Sequence, residues 1–107
     1  MNQETSYDFE WDATKARSNE QKHDVTFDEA ASVFLDALAL TVYDQSSSRD
    51  EERWFTLGFD ARGRLLAVAH TYQITGEART RIRIISARKA TKRERSYYEN
   101  EANQVKP

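Results

Sequence analysis

The chain has 107 residues, 38% of them hydrophobic and 32% charged, which predicts one domain over 1–107 with a single core and frayed ends at 1–6 and 100–107. The sequence contains no cysteine, so a disulfide framework, a thiolate metal site and a cysteine nucleophile are excluded. No apolar run approaches the roughly 18 residues of a membrane-spanning helix, and residues 1–10 lack the basic start and apolar stretch of a signal peptide. A cytoplasmic protein without membrane association is therefore expected.

Charge is distributed unevenly along the chain, although the net charge is only −2. Residues 1–60 contain 5 Lys/Arg against 14 Asp/Glu, a balance of −9, whereas residues 61–107 contain 11 against 4, a balance of +7. The densest basic stretch, residues 79–95, holds eight basic residues and the single acid Glu94. Such asymmetry is typical of a face that binds a polyanion. It is equally compatible with two halves that neutralise each other across the fold.

The first predicted elements are a strand and two helices. Residues 7–11 alternate aromatic with acidic side chains, which indicates a short strand. Asp12 follows, and its carboxylate can accept backbone N–H groups at the start of a helix over 13–22. A capping box that begins at Thr26 predicts a second helix up to 35–36.

Four strands and a last helix are predicted for the rest of the chain, over 38–43, 53–59, 64–72, 80–87 and 91–101. A tight turn at 60–63 should join the second and third of these strands as a hairpin. The element order β-α-α-β-β-β-β-α predicts an α+β fold, in which two N-terminal helices and one C-terminal helix pack on a small antiparallel sheet. One sheet face is expected to be covered, and the open face would then be available to a polymer.

Four segments of the sequence, taken in order, resemble the signature of one protein family. They are Phe9-Glu10-Trp11-Asp12, Glu52-Arg53-Trp54, Gly63-Arg64-Leu65-Leu66 and Arg81-Ile82-Arg83-Ile84-Ile85-Ser86-Ala87-Arg88-Lys89-Ala90-Thr91. Together they resemble the BrnT family of toxins, and the likeness extends from about Tyr7 to Tyr98. The resemblance implies a RelE-like fold, cleavage of RNA that inhibits translation and growth, and neutralisation by an antitoxin of the BrnA type. Such an antitoxin carries a DNA-binding ribbon-helix-helix, through which the complex would bind operator DNA.

Metal-independent RNA cleavage needs a base for the 2′-OH proton, cations that stabilise the phosphate, and an acid for the leaving 5′-oxygen. No clustered set of His, Asp and Glu ligands is visible, so neither a metal nor a cofactor is predicted.

Lys22 and His23 are the first candidates for acid/base and phosphate-binding roles, because histidine titrates near neutral pH and lysine binds phosphate. Their alternative role is to bind the last carbonyls of the first helix. His70, near the end of a strand, is either a second acid/base or a histidine bound to a nearby backbone group.

Arginines supply the predicted phosphate contacts. Arg81 and Arg83 lie on one strand face roughly 7 Å apart, close to the phosphate repeat of RNA. Arg53 and Arg64 lie near the ends of the central hairpin, where a planar guanidinium can bind phosphate. The alternative is pairing with acidic residues, such as Glu52 beside Arg53. The predicted catalytic residues are Lys22, His23, Arg53, His70 and Arg83, and the predicted RNA-binding residues are Arg64, Arg81, Arg88 and Lys89.

Three functions compete at this point. The leading one is a ribonuclease toxin that cleaves RNA by 2′-OH attack and is covered, when neutralised, by an acidic or amphipathic segment of its antitoxin. The second is a binding module that holds RNA or a partner protein through the arginines and performs no chemistry. The third is a structural subunit whose acidic and basic halves pair between chains, which predicts self-association that weakens steeply with salt.

Overall fold

The computed structural model describes residues 6–47 and 49–105 of the chain. It contains a sheet of six strands, three α-helices and two short 3₁₀ turns. The strands are Ser6–Glu10 (β1), Leu40–Tyr43 (β2), Trp54–Phe59 (β3), Leu65–His70 (β4), Gln73–Gly76 (β5) and Arg79–Lys89 (β6). The helices are Ala13–His23 (α1), Phe27–Ser32 (α2) and Lys92–Val105 (α3), and the 3₁₀ turns are Val33–Leu35 and Gln45–Ser47.

The sheet is mixed, so the prediction of an antiparallel sheet is wrong at one strand. The strands lie in the order β1-β6-β4-β3-β2, with β5 pairing to β6, and β1 runs parallel to β6 from Ser6↔Arg79 to Glu10↔Arg83. The predicted hairpin of β3 and β4 is confirmed. The predicted strand 64–72 ends at His70, and the chain then forms β5, which the predicted element order lacked. The strand is interrupted there because the pairing register of β4 with β6 shifts between Ala69 and His70.

Both faces of the sheet are covered at its centre, which corrects the expectation of a single covered face. All six residues of β4 are buried. On one face Leu66 and Val68 belong to a core with α1 and α2, and on the other face Leu65 and Ala67 belong to a smaller core with Tyr98 of α3. Side chains remain exposed on β2 and β5, and on β6 the exposed ones are Arg79, Arg81 and Lys89.

Side-chain caps fix the helix starts as predicted. Asp12 Oδ2 accepts the N–H of Lys15 at 2.9 Å to start α1, and Thr26 forms the predicted reciprocal capping box of α2. Helix α1 ends at His23, and the next residue, Asp24, has a left-handed backbone with φ 57°. The ends of the other helices differ from prediction. Helix α2 stops at Ser32 and tightens into a 3₁₀ turn, whereas α3 continues to Val105, so 100–105 is helical and not a loose tail. Residues 1–5 and 106–107, which were expected to fray, lie outside the described part.

Asp36 connects the turn after α2 to the sheet and to α3. Its carboxylate accepts the Phe59 N–H at 2.9 Å, the Tyr98 hydroxyl at 2.7 Å and the Leu38 N–H at 2.9 Å. Partial burial alone would raise the pKa of Asp36, but these three hydrogen bonds outweigh it and lower the pKa. Burial, together with the bond to Asp36, raises the pKa of Tyr98 to about 12. The two groups therefore stay bound as carboxylate and phenol around neutral pH.

We expect acid to destabilise the fold through Glu29 and Glu94. The N–H of Thr26, opposed by partial burial and supported by neighbouring arginines, lowers the pKa of Glu29 from 4.5 to about 2. The guanidinium of Arg88, again opposed by burial, lowers the pKa of Glu94 from 4.5 to about 2. A carboxyl whose pKa falls on folding stabilises the folded state above its unfolded pKa, and this contribution is lost as the pH falls through the folded pKa.

The free energy of unfolding, measured in urea, should therefore fall as the pH is lowered from 4.5 to about 2. The double variant Glu29→Gln/Glu94→Gln should show a flatter dependence over this range, whereas Glu99→Gln at an exposed position should not. An equally steep dependence in the double variant would contradict the assignment.

Candidate functional site

Arg53 and Arg83, two of the predicted catalytic residues, meet at Glu51. Glu51 Oε1 forms an ion pair with Arg83 Nη2, and it lies 3.7 Å from Arg53 Nη2. All three side chains are partly exposed. Two guanidinium groups that converge on one carboxylate define a position that binds an anion, and a phosphate oxygen can replace the carboxylate oxygen in the same geometry.

The strand register explains why these two arginines are neighbours. Trp54 of β3 lies opposite His70 of β4, and His70 lies opposite Ile84 of β6. The residues that precede Trp54 and Ile84, Arg53 and Arg83, therefore lie at the same level of the sheet. Arg53 also has the same side-chain direction as Arg83, because side chains alternate between the two faces along a strand.

Helix α1 lies along the open edge of β6 and extends the site. Lys22 and His23 line a shallow depression of about 480 Å³ between α1 and β6, and Lys15 and Ile85 line it as well. Lys15 and Ile85 also line a second depression, of about 400 Å³, whose other walls include Glu51 and Arg83. The two depressions therefore adjoin. We call this surface the basic groove. Lys15, Lys22, His23 and Arg83 line its two depressions, and Arg53 adjoins it at Glu51.

Asn19 attaches α1 to β6. Its Nδ2 donates to the carbonyls of Ala87 at 2.8 Å and Val25 at 3.0 Å, and its Oδ1 accepts the Ala87 N–H at 3.0 Å. The side chain, only 6% exposed, thus takes the place of a neighbouring strand at this edge of β6. A buried peptide group needs hydrogen-bond partners, so this contact fixes where α1 lies. It thereby sets the width of the basic groove.

His70 is a core residue, and its burial does not support the predicted role as a second acid/base. The side chain is fully buried, and its ring packs edge-on against Phe34 with centroids 5.0 Å apart. Nδ1 donates to the carbonyl of Thr71 at 2.9 Å, which leaves Nε2 to accept the hydroxyl of Thr56 at 2.7 Å. Burial lowers the pKa of His70, although the bond to Thr71 opposes this. The imidazole is therefore neutral and out of reach of RNA. The structure thus agrees with the alternative role given above, a histidine that is bound to a nearby backbone group.

Arg64 joins the central hairpin to α1 and α2 instead of facing the groove. Its guanidinium donates to Asp60 Oδ2 at 3.1 and 3.0 Å and to the carbonyl of Asp24 at 2.9 Å. It also forms an ion pair with Glu29 at 3.0 Å. Since every guanidinium nitrogen is engaged within the fold, the predicted phosphate contact by Arg64 is not supported.

The remaining predicted RNA-binding residues lie on or next to β6. Arg81 has the same side-chain direction as Arg83 and lies 4.0 Å from Glu10. Arg88 is held by Glu94 through two bonds of 2.7 and 2.9 Å, and Lys89 is exposed at the end of the strand. Arg81 pairs with Glu10 and Arg83 pairs with Glu51, so acidic residues of the first half of the chain neutralise basic residues of the second half. Exposed ion pairs contribute only about 0–1 kcal/mol each, so they can open in favour of a phosphate.

Lys15 and Glu51 belong to this site but were not predicted for it. Lys15 lies on the first predicted helix, which offered no signal of a role at the site. Glu51 lies in a run of three carboxylates, which is more often a solvated loop. Within 6–47 and 49–105, no group of three or more His, Asp and Glu side chains could hold a metal ion. In the same part of the chain, no helix has the length and apolarity needed to cross a membrane.

Comparisons with known proteins agree with this fold. A family model described as the ribonuclease toxin BrnT of type II toxin–antitoxin systems matches residues 11–94. A search of curated proteins gave no match. The 1.1 Å crystal structure of the Brucella abortus ribonuclease toxin BrnT is similar, with a TM-score of 0.54 and 21% sequence identity, over 82% of this chain and 100% of that chain. The structural similarity shows the fold alone, whereas the family match spans most of the chain, and the chain therefore belongs to the BrnT family of ribonuclease toxins.

Proposed function

We propose that this protein is a metal-independent endoribonuclease, which cleaves RNA at the basic groove and thereby inhibits translation and growth in the cytoplasm. The observation that carries the proposal is the convergence of Arg53 and Arg83 on one anion position at Glu51. Glu51 and Arg83 line the part of the basic groove that adjoins the part lined by Lys22 and His23. Membership of a ribonuclease toxin family supports it. A RelE-like fold is part of the same proposal.

In the proposed mechanism, the scissile phosphate displaces the Glu51 carboxylate and binds between Arg53 and Arg83. The two guanidinium groups then stabilise the negative charge that builds on the phosphate oxygens as the 2′-oxygen attacks. The imidazole of His23 exchanges the proton with the 2′-OH or with the leaving 5′-oxygen, and Lys22 binds an adjacent phosphate. The attack forms the bond from the 2′-oxygen to phosphorus and breaks the bond to the 5′-oxygen. The products carry a 2′,3′-cyclic phosphate and a 5′-hydroxyl.

One observation favours the second candidate, a binding module without catalysis. The sequence contains two histidines, and His70 is buried, so His23 is the one histidine of the chain that can reach RNA. A proton donor other than histidine is then needed for a complete acid–base pair. Lys15 and Lys22 line the same depression as His23 and are groups of that kind. A protein that binds RNA at the same arginines without cutting it would match the binding module.

Incubation of purified protein with single-stranded RNA tests the proposal. We expect shorter products with cyclic phosphate ends. The rate should be the same with and without EDTA, because the proposed mechanism uses no metal ion. Expression without a partner should also arrest growth. RNA that is bound but stays intact would favour the binding module, and loss of cleavage in EDTA would contradict the mechanism.

The proposed partner is an antitoxin of the BrnA type. An antitoxin is implied by membership of a type II toxin–antitoxin family. We propose in addition that this antitoxin carries a ribbon-helix-helix and that the complex binds operator DNA through it. Copurification of the two proteins, followed by a DNA-binding assay with and without the toxin chain, tests the assignment.

A further inference from the structure

An apolar groove lies on the opposite side of the central hairpin from α1, between β2, β3 and α3. It has a volume of about 320 Å³ and is lined mainly by carbon atoms. Val42 and Tyr97 line it and remain 39% and 47% exposed. We call this surface the apolar groove, formed by Val42, Phe55, Leu57, Arg93, Glu94 and Tyr97. Large apolar side chains left in contact with water in a recess are typical of a surface that another molecule covers.

Next to the apolar groove the sheet has an open edge. Strand β2 is the last strand of the sheet path and pairs with β3 alone among the strands of the described residues. Such an edge presents N–H and C=O groups that an extended peptide can pair with. Leu40 and Val42 point to the same side of the sheet as their partners Leu57 and Phe55, which is the side of the apolar groove. A strand added to β2 would therefore place every second side chain over this groove.

The rim of the apolar groove is basic. Arg93 lines the groove, and Lys92 and Arg95 are exposed on the same turn of α3. Glu94, the acid of this turn, is engaged with Arg88, whose guanidinium lies 6.0 Å from the centre of the Phe55 ring. A peptide with acidic side chains beside its apolar ones fits this rim, because its carboxylates would face the basic side chains of α3, whereas a basic peptide would be repelled by them.

We propose that a segment of the antitoxin docks here, as an added strand on β2 that alternates apolar residues with acidic ones. The identity of the partner rests on the proposed function, whereas the chemistry of the segment follows from the groove, the open edge and the basic rim. The surface lies outside the basic groove. Docking would thus anchor the antitoxin beside the site, and its flanking chain would have to extend further to cover Arg83.

The test uses the full chain and its cognate antitoxin, with the dissociation constant measured by calorimetry. Val42→Asp and Arg93→Glu place a negative charge opposite the acidic segment, and we expect each to weaken binding at least about tenfold, or roughly 1.4 kcal/mol. Ile74→Asp is the matched control, because Ile74 is 69% exposed on β5 at the other end of the sheet. Unchanged affinity in both groove variants would overturn the proposal.

Hydrogen exchange on the wild-type complex provides a measurement that does not depend on how the variants fold. Amides of Leu40–Tyr43 should exchange more slowly when the antitoxin is bound, since an added strand would bind some of them. Unchanged exchange there, or protection by RNA in place of the antitoxin, would reject the docking site. Cleavage of RNA by the free wild-type chain and by the free variants is measured separately. If the wild-type chain binds its antitoxin at β2 but cuts no RNA, the proposed function is wrong and the docking site still stands.

Discussion

Replacing Arg83 with Ala is expected to lower the rate of RNA cleavage by about 10²–10³, the usual effect of removing one group that stabilises charge in a transition state. Arg83 donates to Glu51 at the position where we place the scissile phosphate. His23→Ala should lower the rate by about 10²–10⁴, because it removes a group that transfers a proton. Single-turnover cleavage of a short RNA at saturating protein measures both effects without a contribution from binding.

Arg79→Ala is the matched control for Arg83→Ala. Arg79 is an exposed arginine on the same strand and points in the same direction, but it pairs with Asp8 at 2.9 Å, away from the basic groove. Its replacement should leave the cleavage rate within a factor of a few. Similar losses for Arg79 and Arg83 would mean that the basic charge of β6 acts as a whole, and that no arginine binds the scissile phosphate in particular. If Arg83→Ala cleaves RNA at the wild-type rate, the scissile phosphate does not bind at Arg83.

Replacing Asn19 with Ala should reduce the free energy of unfolding by about 2–4 kcal/mol, since a buried polar group left without a partner costs about 1–3 kcal/mol. The change removes the bonds to both backbone groups of Ala87 and to the carbonyl of Val25. Urea denaturation monitored by tryptophan fluorescence measures the loss. Gln21→Ala, at an exposed position of the same helix, is the control and should change stability by less than about 0.5 kcal/mol. If Asn19→Ala lowers the free energy of unfolding no more than Gln21→Ala does, then apolar packing alone holds α1 to β6.

Several features of this fold follow from the sequence because they depend on near neighbours. The capping box at Thr26 and the start of the last helix at Thr91, where Thr91 and Glu94 bind each other's backbone N–H, depend on residues three positions apart. Both helix starts were therefore predicted correctly. The strand period of two likewise placed Arg81 and Arg83 on one side of β6. Family membership was also predicted, from ordered segments that span most of the chain.

Other features were decided by tertiary contacts between residues far apart in the chain. The sequence offered two roles for His70, and burial against Phe34 with both nitrogens engaged leaves the structural one. The parallel pairing of β1 with β6 joins residues more than 70 positions apart, and no local pattern specifies such a register. The same holds for Glu51. Whether a carboxylate is solvated or placed between Arg53 and Arg83 depends on which strands become neighbours, because the charges that hold it come from different elements.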